Sequence, residues 1–102
     1  MRPVEIAVRF GKNLVRARKR IGLSQEDVGF RASLHRTEIG MLERGTRLPR
    51  IDTLVKLAAA VGVEPGELLE GLDWNAPAMP TTGNFSVRED EAAPREPDPS
   101  LN

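Results

Sequence analysis

Only three residues, Ser33-Leu34-His35, separate two stretches whose apolar residues recur at helical spacing. So short a connection forces the two helices to cross steeply, and this restricts the fold more than any other feature of the chain. The first of these helices opens at Ser24, whose hydroxyl can cap it, with Asp27 three residues on as a short form of the capping box. It runs to about Ala32. The second spans roughly Arg36 to Arg44, turns Ile39 and Leu42 inward, and stops at Gly45.

Three further helical pieces flank this pair. Ile6, Phe10, Leu14, Ala17 and Ile21 make one apolar stripe, beginning near Pro3 and ended by Gly22. Pro49 marks a loop, after which Ile51, Leu54, Leu57, Ala58 and Val61 form a fourth stripe closed by Gly62. A short fifth helix has Pro65 in its first turn and Leu68 and Leu69 as its apolar residues. Five short helices without a strand signal predict an all-α domain of about 70 residues, near the lower limit for one self-sufficient core. With one Trp and three Phe in the chain, that core is mainly Leu, Ile, Val and Ala, and dimerisation would add to it.

The composition changes beyond Trp74. Residues 1–74 are read as the folded domain, and residues 75–102, with Pro77, Pro80, Pro94, Pro97 and Pro99 among acidic residues, as a disordered tail. The net charge of zero conceals an asymmetry: residues 1–70 hold 13 Lys+Arg against 9 Asp+Glu, and residues 71–102 hold 2 against 6. A basic body with an acidic tail points to nucleic acid or to an interaction tail, although a domain with an ordinary solvated tail has the same charges. The absence of cysteine removes disulfides and thiol redox chemistry, and with His35 as the one histidine a zinc site is not expected. No apolar run suits a signal peptide or a membrane span, so the expected location is the cytoplasm. No catalytic pairing surrounds His35 and the folded part leaves little room for a pocket; the reading is of a non-enzyme without cofactor, metal or catalytic residues.

The steep crossing is the one that a helix-turn-helix uses to place its second helix in the DNA major groove. A helical bundle without a ligand shares the spacing. The residues resemble a family more closely than that. Leu23-Ser24-Gln25-Glu26-Asp27-Val28, Arg36-Thr37-Glu38-Ile39, Leu42-Glu43-Arg44-Gly45, Pro49, the run from Leu54 to Val63 and Leu68-Leu69 are similar, in order and spacing, to the Xre/Cro-repressor-type helix-turn-helix. The resemblance covers roughly Phe10 to Leu72. It implies a five-helix, lambda-repressor-like DNA-binding domain, and it specifies neither target nor pathway.

The same resemblance implies roles for individual residues. Ser24 and Gln25, at the start of the second helix, match positions that meet a phosphate. Arg36, Thr37 and Met41 match base-facing positions of the recognition helix, with Glu38 and Gly40 beside them. Arginine can fork onto guanine O6 and N7, threonine can bond a base or touch a thymine methyl, and methionine offers apolar contact only. A solvated Arg36 and a core Met41 are the bland readings. Arg44, Thr46, Arg47 and Arg50 form a basic loop of the kind that grips backbone, with Arg50 placed to enter a narrowed minor groove. Arg18 and Glu43 match a structural pair between the first and third helices.

Gly29 stands where the family usually has alanine, keeping the small size that a close crossing needs. Ser33 stands where it usually has glycine, and must accept a positive φ. His35 falls at the N-cap of the third helix, either as a turn residue or as a phosphate donor. Phe30 either covers the first helix or is an exposed apolar contact. The function expected is a small homodimeric regulator that binds double-stranded DNA sequence-specifically, as a repressor. The dimer contact is placed at the fifth helix, the loop before it and Leu72-Asp73-Trp74, with Trp74 either a lid on its own core or a dimer anchor. The alternative is an antitoxin-like or adaptor protein whose tail binds a protein partner.

Overall fold

The computed structural model describes residues 3–77 and 83–88. In chain order it contains α1 (Pro3–Arg20), α2 (Gln25–Ala32), α3 (Arg36–Glu43), α4 (Ile51–Val61), α5 (Pro65–Leu68), β1 (Leu72–Asn75) and β2 (Asn84–Val87). All five expected helices are present, with their ends close to the capping signals. Phe10, Leu14, Val28, Ile39, Leu42, Leu57, Val61 and Leu68 are fully buried in one cluster between the helices, and Leu23, Leu34, Leu54 and Val63 pack against it. Complete burial of a Leu, Ile, Val or Phe side chain contributes about 1.5–3 kcal/mol, so each of these eight residues makes a substantial stabilising contribution.

Two stripe assignments are corrected. Ile51 is 80% exposed, and Thr53 is buried in its place. Counting back from Leu57 at 100° per residue, Thr53 and Leu54 stay on the inward face, whereas Ile51 lies about 120° away from it. Ile21 is also exposed, because α1 ends at Arg20 and Ile21 belongs to the terminating turn. In α5, Leu68 is buried and Leu69 is partly exposed at the C-cap.

The larger correction is the small antiparallel sheet. The expectation was all-α with a disordered tail from residue 75, yet β1 pairs with β2 in the register Leu72↔Val87, Asp73↔Ser86, Trp74↔Phe85 and Asn75↔Asn84. Residues 78–82 and 89–102 of the expected tail lie outside the described residues. Trp74 and Phe85 are directly opposite, with ring centroids 4.9 Å apart in an edge-to-face arrangement. Trp74, at 55% exposure, packs within this hairpin and is not a lid on the helical core.

Polar side chains of α1 hold the end of α5, the turn into β1 and the end of the hairpin. Arg9, only 6% exposed, donates from Nε to the Glu70 carbonyl (3.1 Å) and from Nη1 to the Arg88 carbonyl (3.1 Å). Asn13 donates to the Leu68 and Glu70 carbonyls, both at 2.9 Å. Anchors of this kind leave no trace in the apolar periodicity of the sequence.

Candidate nucleic-acid interface

The local chemistry of α2 fixes where the candidate recognition helix begins. Ser24 Oγ accepts the Asp27 N–H (3.0 Å), and the Asp27 carboxylate accepts the Ser24 N–H (2.9 Å), completing the capping box. These bonds, the one to the Ser24 backbone foremost, hold the Asp27 carboxyl below the ordinary aspartate value of 3.8. At the other end Ser33 adopts φ 58° and ψ 43°, the left-handed conformation the sequence required.

The turn brings the two helices so close that only glycine fits at position 29. A Cβ on Gly29 would lie 2.6 Å from the Leu34 carbonyl oxygen, so the departure from the family's alanine matches the tightness of this turn. His35 then caps α3: its Nδ1 accepts the Thr37 N–H at 3.0 Å. Phe30 is 87% exposed and covers nothing on α1.

Helix α3 buries Ile39, Gly40 and Leu42 and turns Arg36 and Thr37 to solvent, with Met41 half-buried. Beside them Glu38 lies 3.7 Å from Arg47. Arg36 and Arg44 have no ion-pair partner among the described residues, and both side chains are exposed. Arg50 contacts Asp52 at 3.3 Å with most of its side chain in solvent. The Thr46 hydroxyl donates to the Met41 carbonyl (3.1 Å), closing the C-terminal turn of α3 and leading the chain into the basic loop.

Glu43 is the junction beneath this surface. Its carboxylate accepts from Arg18 Nε (2.6 Å) and Nη2 (3.0 Å) and from Gln25 Nε2 (2.8 Å), and its side chain is only 6% exposed. Arg18 also donates to the Leu23 carbonyl (2.9 Å). The expected Arg18–Glu43 pair is therefore present, with Gln25 as a third member that sequence reasoning missed. The signal was the carboxamide itself, which can donate inward and accept outward at once. One of its two amide N–H groups is committed to Glu43, which leaves Gln25 a second amide donor, its amide oxygen and the backbone N–H groups of the first turn of α2. The Gln25 amide oxygen and Arg44 Nη1 lie 3.7 and 3.1 Å from where a Cβ on Gly40 would be, so α2 and α3 meet at this point.

Thus Ser24, Gln25, Arg36, Thr37, Met41 and Arg44 are carried by two helices locked to each other and to α1, and Arg47 and Arg50 extend the surface from the adjoining loop. No group of His, Cys, Asp or Glu among the described residues is arranged to hold a metal ion, and no helix among them is long and apolar enough to cross a membrane.

Residues 14–68 match the family described as Helix-turn-helix, and the chain belongs to that family of DNA-binding transcriptional regulators. It is similar to the control protein C.BamHI of Bacillus amyloliquefaciens, 39% identical over 66 residues that cover 64% of this chain and 82% of that protein. It is likewise similar to the HTH-type transcriptional regulator y4dJ of Sinorhizobium fredii, 41% identical over 63 residues, or 62% of this chain and 82% of that one. Among solved structures, the restriction-modification controller protein C.AhdI of Aeromonas hydrophila superposes with a TM-score of 0.60 at 42% identity, covering 61% of this chain and 94% of that chain. Each of these matches falls short of the full chain, whereas the matching region includes the helix-turn-helix.

Proposed function

We propose that the protein is a homodimeric repressor that reads double-stranded DNA with α3, each subunit taking one half-site. The observation that carries this reading is the pair of exposed guanidinium groups of Arg36 and Arg44, neither with an ion-pair partner among the described residues, at the two ends of a helix immobilised by the Arg18–Glu43–Gln25 junction. Arg36, Thr37, Glu38 and Met41 are assigned to base edges, and Ser24, Gln25, Arg44, Thr46, Arg47 and Arg50 to backbone or minor groove. Repression needs only occupancy of a promoter, which suits a body this small. A relative named as a control protein and a solved structure named as a restriction-modification controller protein support a controller role of the same type.

Dimerisation is assigned to the outer face of α4 and the exposed end of α5. Ile51 and Val55 are one helical turn apart and expose apolar side chains, and Leu69 adds a third. Two-fold symmetry then spaces half-sites about one helical turn, ~34–36 Å, apart. The hairpin favours a second reading, in which the exposed Trp74–Phe85 pair docks a protein partner while α3 holds DNA.

A salt titration of DNA binding tests the main reading. Arg44, Arg47 and Arg50 with their dyad mates suggest on the order of six backbone contacts per dimer, so affinity should fall roughly a thousandfold from 50 to 200 mM salt. An affinity that stays flat across that range contradicts it.

A further inference from the structure

We infer that His35 is a phosphate-contacting residue of the DNA interface, its imidazole fixed in the donating tautomer by its own helix cap. This rests on the reading of α3 as the recognition helix. A backbone N–H can only donate, so the 3.0 Å bond from the Thr37 N–H makes Nδ1 of His35 an acceptor without a proton. In the neutral ring the proton then sits on Nε2. That N–H has no acceptor among the described residues, and the side chain is exposed at the groove-entering end of α3. The residue therefore does two things at once: Nδ1 closes the first turn of α3, and Nε2 presents a donor to whatever flanks that turn. For a helix lying in the major groove, the flanking group is a backbone phosphate. Serine or asparagine would cap equally well but would not reach outward from the cap with a donor, so the ring adds binding beyond the cap.

The experiment uses the full chain, a duplex carrying the sequence recovered by selection from a random library, and an unrelated duplex of equal length. His35→Asn and His35→Ser keep a capping oxygen. Both should retain the wild-type melting midpoint and bind both duplexes roughly tenfold or more weakly, as expected for loss of a hydrogen bond to a charged group. The salt slope should not change, because a neutral donor releases no counterion. Replacing phosphates one at a time by methylphosphonate should reveal one position per half-site that matters to the wild type and not to His35→Asn. Unchanged affinity of both variants, or an unaltered methylphosphonate profile, overturns the assignment while leaving DNA binding intact. Failure of the wild type to bind any duplex overturns the DNA reading itself, and this assignment with it.

Discussion

Ser33→Gly tests the turn on which the placement of the recognition helix depends. Ser33 is the only non-glycine residue with positive φ among the described residues, at φ 58°. Its side chain is exposed and makes no hydrogen bond there, so the substitution removes no contact. What it removes is the clash of a Cβ in the left-handed region, about 1 kcal/mol. Glycine also gains freedom in the unfolded chain, which offsets part of this, leaving a stabilisation of several tenths to about 1 kcal/mol. In a domain of this size that raises the melting midpoint by up to roughly 4–8 °C, readily seen by circular dichroism or calorimetry. Ser33→Ala, which keeps the Cβ and removes only the hydroxyl, should leave the midpoint within about 2 °C of wild type by the same scaling. A lower midpoint for Ser33→Gly would refute the reasoning, since it would mean that the turn does not hold the left-handed conformation and that α3 is not aimed as described.

Three further outcomes follow from other parts of the molecule. Glu43→Gln leaves the Arg18 guanidinium without its carboxylate in a largely buried setting, and chemical denaturation should show a loss of about 3 kcal/mol. Because folding lowers the Asp27 pKa, the capping box contributes its stability above the ordinary aspartate value of 3.8 and loses it as pH falls through the folded value; Asp27→Asn should therefore show a shallower loss of midpoint with acid than wild type. Truncation after Ala76 removes β2 and the Arg88 carbonyl that Arg9 bonds, and should lower stability by about 1–3 kcal/mol; an unchanged midpoint would show that the hairpin adds nothing to the helical body.

The parts of the fold legible in the sequence are those specified by local chemistry. Ser24 and Asp27 satisfy each other three residues apart, Gly62 ends α4 in the left-handed conformation, and the three-residue turn leaves the following helix few directions. The strained Ser33 was legible for the same reason, since turn geometry dictates φ whatever residue is present. Ile51 was misplaced because at the start of a helix one apolar residue can be added to a stripe without fixing its phase, and Thr53, the residue actually buried, reads as polar. The hairpin was not legible because it rests on interactions far apart in sequence. Arg9 reaches carbonyls 61 and 79 residues away, and Trp74 finds Phe85 across an unpatterned stretch. The Arg18–Glu43 pair was found by resemblance, whereas Gln25 was assigned outward because its inward partner depends on how α2 crosses α3.

Unbiased selection of bound duplexes from a random library tests the central claim most directly, with wild type and Arg36→Ala carried through in parallel. The account predicts enrichment of a two-fold symmetric sequence whose half-sites are centred about one helical turn apart. Arg36→Ala should recover the same sequence with one position per half-site no longer specified, at a cost of about 1–3 kcal/mol on the best wild-type site. Enrichment of no sequence, or of an asymmetric one that Arg36→Ala recovers unchanged, would contradict the claim that paired α3 helices read the DNA.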